Sequence, residues 1–284
     1  LPHKVYSMYL LQINWDPIKS IDLGFFELHF YSVMWIVAFI LGFYITKRIY
    51  KNEGQSEEAL DSLFIYSVLG IMLGARLGHV IFYQSELITE DFFSIFLPFK
   101  FKGGFEFTGF QGLASHGAAI AMIISMYLYN KKVLHKTVLW ILDRVVIPVA
   151  LGAVFVRIGN FINSEIIGKE TDSAFGVVFE QIGDTQARHP AQLYEAFCYV
   201  FVFLILFYFY WKTKKAEQPG FLFGLFLVLL WTVRFFVEYV KVSQGGIEEY
   251  FGNALSTGQL LSIPFVIIGL YFMFIYKPKT KTTA

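Results

Sequence analysis

The densest chemistry in the chain lies at Arg157-Ile-Gly159-Asn160-Phe-Ile-Asn163-Ser-Glu165-Ile-Ile-Gly168, where an arginine, two amides, a carboxylate and two glycines follow a long apolar run. Hydrogen-bonding groups this dense at the end of an apolar segment read as a pocket for a polar headgroup. A capped helix end followed by a tight turn would use the Gly and Asn residues but would not need Arg157 and Glu165 together. Two more guanidinium groups, Arg76 and Arg234, also stand inside apolar runs, and Glu238, four residues after Arg234, is the one near local partner. Excess buried positive charge must be neutralised. Guanidinium grips phosphate bidentately, so a phospholipid headgroup is the natural missing anion. His116 is a candidate proton acceptor, because imidazole changes charge near neutral pH. Gly112, Ala114, Ser115 and Gly117 flank it, and a backbone so bare reads as room for something bulky to approach.

Such residues need elements that hold them in an apolar medium, and composition says which. Hydrophobic residues make up 56% of the 284 positions, aromatic residues 19% and charged residues only 16%, against about 25% charged in a soluble domain. The chain therefore reads as an all-α integral membrane protein, a single membrane domain over 1–284. A bilayer core of about 30 Å takes roughly 20 apolar residues per helix. Seven transmembrane helices are expected, at about 26–46, 59–83, 109–130, 138–157, 190–211, 219–241 and 254–276 by that length rule. Basic residues cluster in every second connector: Lys47, Arg48 and Lys51; Lys131, Lys132 and Lys136; Lys212, Lys214 and Lys215; Lys277, Lys279 and Lys281. By the positive-inside rule those connectors face the cytoplasm, which puts the N-terminus outside, in the periplasm, and the C-terminus in the cytoplasm. Residues 1–25 then form an outer arm, without the basic-then-apolar profile of a signal peptide. The long outer loop 158–189 carries the dense segment, and Asp91–Phe99, too short to span, is expected in the outer headgroup plane.

Several classes are excluded. A net charge of +1 provides no field for nucleic acid. No Cys/His cluster has metal-ligand spacing, and neither metal nor cofactor is expected. Cys198, the one cysteine, reads as a small buried hydrophobe. Neither GxSxG nor HExxH occurs, and Ser115 and His116, being adjacent, point apart on a helix, which argues against an intramembrane protease. Asp143-Arg144 reads as a structural pair snorkelling at the inner boundary, and His79 as a packing residue. An anion or lipid transporter could use the same intramembrane arginines and is the alternative from another class.

The segment R-x-G-N-F-x-N-x-E-x-x-G at 157–168 resembles the signature loop of the bacterial prolipoprotein diacylglyceryl transferases. Supporting matches are Gly74-Ala-Arg76 with Tyr83, Ser115-His116-Gly117, His189-Pro190-Ala-Gln192-Leu-Tyr194-Glu195, and Arg234-Phe235 with Glu238, in the family's order and over nearly the whole chain. The chain departs from the pattern at Val156, Ala118, Leu230, His29 and Ser32, and at Lys241, where another arginine is expected. The resemblance implies a seven-helix, multi-pass enzyme of the bacterial cytoplasmic (inner) membrane whose active site faces the outer leaflet. It would move the diacylglyceryl group of phosphatidylglycerol to the lipobox cysteine of a prolipoprotein signal peptide, releasing glycerol phosphate. By the same resemblance Arg157, Asn160 and Gly168 bind the headgroup or shape its pocket and Tyr31 and Glu165 are further required positions; Arg76 and Asn163 join them as phosphatidylglycerol-binding candidates on their own residue chemistry. His116, Arg234 and Glu238 are the catalytic candidates. A monomer is expected, with membrane lipid and the precursor peptide as its partners and no nucleic acid.

The implied chemistry sets its own demands. A free thiol has a pKa of about 8.5, so a few per cent is thiolate near neutrality and a base or cation must raise that share. His116 can accept the proton. Alternatively Arg234 with Glu238 activates the thiol while His116 orients substrate, and the residues leave both routes open.

Overall fold

The computed structural model describes residues 13–24, 27–97, 99–101, 104, 106–107, 112, 114–242 and 254–277, and the chain divides into two compact units, 1–46 with 142–284 and 47–141. Strands β1 (Ile13–Trp15), β2 (Ser20–Asp22) and β3 (Glu27–His29) lead into α1 (Phe30–Asn52). Next come α2 (Glu57–Tyr83), the short α3 (Leu87–Glu90), a 3-10 turn at Phe92–Ile95, β4 (Phe99–Lys100), β5 (Glu106–Phe107) and α4 (Ser115–Tyr129). The chain continues through α5 (Val138–Ile162), β6 (Val177–Phe179), α6 (Ala191–Lys212), α7 (Phe221–Val237) and α8 (Thr257–Leu270). Among the described residues six helices are long and apolar enough to cross a membrane: α1, α2, α5, α6, α7 with its 3-10 extension to Val240, and α8 with its extension to Ile275. The third expected stretch is present as α4, 15 residues long and continued by a π turn at Asn130–Leu134.

In the unit formed by 47–141, α2 begins at Ser56, whose hydroxyl accepts from the Ala59 N–H, and Glu57 and Glu58 follow in the first turn. Negative charge is favourable there, where the helix dipole presents its positive end. Gly70, Gly74 and Gly78 recur every fourth residue along α2. A Cβ on Gly74 would stand 2.6 Å from the Gly117 carbonyl, and one on Gly78 2.6 Å from the Gly117 Cα. Small residues on both sides let α2 and α4 approach to backbone contact, the usual basis of helix association without water to drive it. At the other end of this pair the Tyr50 and Tyr129 hydroxyls bond at 2.9 Å, and Tyr129 donates to the Ala59 carbonyl at 3.0 Å.

In the other unit β1 pairs in parallel with β6, in the register Ile13–Val177, Asn14–Val178 and Trp15–Phe179. The Trp15 indole donates to the Phe161 carbonyl at the end of α5 (3.0 Å), and Phe161, Val177 and Phe179 form a small core with Trp15, Ile167 and Leu193. Helices α7 and α8 meet through Gly224 and Gly269, each facing the other's carbonyl where a Cβ would stand 2.6 Å away, and Trp231 stacks on Phe265 at 4.2 Å. The Asp143 carboxylate, 0% exposed, accepts from the Gly220 and Phe223 N–H groups at 2.7 and 2.9 Å. Asp143 therefore caps the start of α7 from a neighbouring helix while it keeps the expected pair with Arg144 at 4.0 Å; both side chains are buried, which corrects only the expectation that the pair snorkels, because the amides of a helix start stabilise a buried carboxylate in place of water.

Candidate functional site

The site is built outward from the end of α5. The sequence suggested that Arg157 opens a loop, but α5 continues to Ile162, so Arg157 and Asn160 lie three residues apart on one helical face. The Arg157 guanidinium donates to the Asn160 side-chain amide oxygen, Oδ1, at 3.3 Å. Asn160 in turn donates to Glu165 Oε2 and Asn163 to Glu165 Oε1, both at 3.1 Å, so the two amides hold one carboxylate. The turn that follows is tight. Ser164 and Ile166 take φ of 56° and 57°, the left-handed region that a β-branched residue such as isoleucine rarely enters. Such a conformation costs about 1–3 kcal/mol and persists only where surrounding bonds over-determine it. Here Glu165 N–H donates to the Asn160 carbonyl at 2.9 Å, and the buried Gln192 amide donates to the Glu165 carbonyl.

Gly168 closes the segment. Its N–H bonds the His189 carbonyl at 3.0 Å and it bridges to Lys241, while Lys169 N–H bonds the Val240 carbonyl at 2.8 Å. A Cβ at Gly168 would lie 2.8 Å from the Val240 carbonyl. The glycine is needed because three backbone segments converge there. Tyr31, the second residue of α1, lays its ring against Gly159, where a Cβ would stand 2.7 Å from the ring. Farther along the loop Arg188 is bonded to Asp184 at 2.7 Å and lies 3.4 Å from Glu170. The Asp184 carboxylate holds the Arg188 guanidinium above its usual range.

The charge pairing differs from the expected one. Arg157 Nε stands 2.8 Å from Glu195 Oε2, a carboxylate in the first turns of α6 that is 0% exposed. Lys241, 2% exposed, reaches the other Glu195 oxygen at 3.7 Å and Glu238 Oε2 at 3.5 Å. Glu238 is thus paired with Lys241, and its carboxylate abuts the first turn of α8, where a Cβ on Gly258 would stand 2.6 Å from Oε2. An anion is stabilised by that helix start. Arg234, expected to take Glu238, lies instead over the Trp231 ring at 5.4 Å, and its buried Nε has no hydrogen-bond partner among the described residues. Both Arg157 and Arg234 remain within electrostatic reach of Tyr199 and Lys241. Among the described residues this cluster holds three cations and two anions, so Glu195 and Glu238 compensate Arg157 and Lys241 and Arg234 has no carboxylate partner among them.

Glu195, Lys241 and Gln192 carry much of this arrangement and were not among the candidate site residues. The signal was available: Glu195 is an acid inside an apolar span, as anomalous as any of the arginines.

Two candidates belong to the other unit. Arg76, on α2, donates to the Ser94 and Ile95 carbonyls at 2.8 and 3.1 Å and so holds the 3-10 turn whose Phe92 and Phe93 are exposed. His116 is the second residue of α4, and its side chain lies outside the described residues. The small residues beside it have another use than the one expected. Gly117 is flush against α2, and Gly112, at φ 78°, faces the His79 ring, where a Cβ would stand 2.7 Å from Cε1. Packing against α2 requires Gly117, and the His79 ring requires Gly112.

A family profile described as Prolipoprotein diacylglyceryl transferase matches residues 19–275. The chain is 41% identical over 273 residues to the phosphatidylglycerol–prolipoprotein diacylglyceryl transferase of Bacteroides fragilis, covering 95% of this chain and 97% of that one. It is 43% identical over 260 residues to the Tolumonas auensis protein of the same name (92% and 95% covered) and 34% identical over 265 residues to that of Helicobacter pylori strain G27 (90% and 91%). These names give the transporter alternative no support.

Proposed function

The chain belongs to the prolipoprotein diacylglyceryl transferase family, and from that premise we propose how its residues carry out the transfer. The enzyme takes the diacylglyceryl group from phosphatidylglycerol and attaches it to the lipobox cysteine of a prolipoprotein, releasing glycerol phosphate. The cysteine sulfur attacks the glycerol carbon that bears the phosphate. The new C–S bond forms as the C–O bond breaks, the leaving phosphate departs with the electron pair, and the thiol proton passes to a base.

One observation carries the role of the arginines: among the described residues Arg234 keeps a buried donor without a partner while Arg157, in the same cluster, is already set by Glu195. A preorganised guanidinium with spare donors is what a phosphate gaining charge in the transition state requires. In this reading Arg157, Asn160, Asn163, Glu165 and Gly168, with Tyr31 against Gly159, shape the headgroup pocket; Arg234 binds the phosphate, and Glu238 keeps the cluster's charge in balance. In the other unit His116 accepts the thiol proton, and Arg76 supports lipid binding through the turn that it holds.

The chain acts as a monomer with seven transmembrane helices, α4 with its π turn at Asn130–Leu134 supplying the seventh. Its N-terminus lies outside the bacterial inner membrane, its C-terminus lies in the cytoplasm, and the site opens to the outer leaflet. The direct test is thioether formation between labelled phosphatidylglycerol and a lipobox peptide with purified protein. Absence of labelled peptide overturns the proposal. His116→Gln should abolish transfer and leave phosphatidylglycerol binding intact; turnover at the unsubstituted rate would remove the histidine from the mechanism.

A further inference from the structure

The start of α6 meets the segment 157–168 at three points. The His189 carbonyl accepts from the Gly168 N–H at 3.0 Å, Gln192 donates to the Glu165 carbonyl, and Glu195 Oε2 lies 2.8 Å from Arg157 Nε. The contacts run in opposite order along the two stretches: 189 with 168, 192 with 165, 195 with 157. Gln192 and Glu195, three residues apart in the first turns of α6, share one helical face. Between the two ends, Gln192 reaches the turn in which Ser164 and Ile166 both take positive φ. Gln192 is 0% exposed, and its Oε1 has no hydrogen-bond partner among the described residues. Burying an amide with one end unpaired costs stability, and a methionine would fill the same length without that cost. Packing therefore does not account for the residue. What the amide provides is a donor, aimed at the carbonyl that stands between two left-handed residues.

We propose that Gln192 is a positioning residue for the transfer: it holds the turn at Glu165 in the register that Arg157 and Glu195 set, and so fixes the donor-lipid pocket. This rests on the transferase reading and adds to it a residue that touches neither lipid nor thiol. Isoleucine disfavours a φ of 57°, so the turn left to itself would relax toward negative φ. The Glu165 peptide would then rotate and carry its side chain away from Asn160 and Asn163, which hold the carboxylate at 3.1 Å each. Asn160 also accepts from Arg157, so the displacement would reach the guanidinium. Gln192 opposes it by gripping the peptide itself, from the same helical face that pairs with Arg157. A shift of about 1 Å in a binding group is enough to cost a site much of its power.

The test uses full-length purified protein with phosphatidylglycerol and a fluorescent lipobox peptide, each varied in turn. Gln192→Met keeps the length and removes the donor. The KM for phosphatidylglycerol should rise about fivefold or more while the KM for the peptide stays within about twofold, because the interaction lost shapes lipid binding and not acceptor binding. A second substitution reads the turn itself. Asparagine enters the left-handed region far more readily than isoleucine. Ile166→Asn in the Gln192→Met background should therefore return the lipid KM to within about twofold of the unsubstituted value. A residue that merely filled space would show no such rescue. An unchanged lipid KM in Gln192→Met overturns the proposal, as does an equal rise in both KM values or a failure of Ile166→Asn to restore the lipid KM. If Gln192→Met does not fold, as judged by size-exclusion chromatography in detergent, Gln192→Asn takes its place. Its amide falls one carbon short of the carbonyl, and the same outcomes decide. Absence of transfer by the unsubstituted enzyme would instead overturn the transferase reading itself.

Discussion

Arg157 illustrates how a buried cation becomes a tool. Left alone in an apolar span it would cost several kcal/mol; here Glu195 takes Nε, Asn160 takes a terminal nitrogen, and the guanidinium is held in one orientation. The same carboxylate faces Lys241 with its other oxygen, so one fully buried acid serves two cations. Removing one partner of a buried ion pair leaves uncompensated charge, which is more damaging than losing the pair altogether. Glu195→Gln should therefore lower stability by about 3 kcal/mol and reduce kcat/KM for transfer more than tenfold. Thermal unfolding in detergent alongside the transfer assay checks both, and an unchanged melting temperature would mean that Glu195 is dispensable to the cluster. At this scale the sequence displayed Arg157 and Arg234 plainly. It did not display their partners, because a local i, i+4 rule sees only Glu238 and is blind to a carboxylate on another helix.

Among the elements, α2 and α4 show what small residues are for. Gly74, Gly78 and Gly117 leave no room for a Cβ, so the helices touch along their backbones, and α4, which carries His116, is positioned by that contact. Gly117→Val would push the pair apart. The expected result is loss of the folded fraction, read by size-exclusion chromatography in detergent, while Ala119→Val on the exposed face of α4 should leave it unchanged. A well-folded Gly117 variant would refute close packing. The α7 start follows the same logic in polar form: Asp143 provides an acceptor that the helix's own sequence lacks. Hydropathy found an apolar stretch at each of these helices, yet it could not show that Gly74, Gly78 and Gly117 face another helix, since that contact is not written in one dimension.

For the molecule as a whole, the governing quantity is the distribution of charge along apolar spans. Six helices meet the length and hydropathy needed to cross a bilayer, and the alternation of basic connectors predicts which ends face the cytoplasm. In a Cys198→Ala background, expected to retain activity, Asn14→Cys should react with an impermeant maleimide on intact inner-membrane spheroplasts; Lys214→Cys should react only after permeabilisation. Labelling of both, or of neither, before permeabilisation would contradict the orientation. The membrane class, the apolar helices and the signature segment were legible in the sequence, because hydropathy and local spacing are properties of the chain itself. Tertiary structure decided the rest. It extended α5 through Asn160, placed Ile166 in a left-handed turn, gave Glu238 to Lys241 and α8, and left Arg234 with a donor to spare. Those outcomes depend on which charges meet across helices far apart in the chain, and in a low-dielectric interior a few ångströms of separation determine which pair forms.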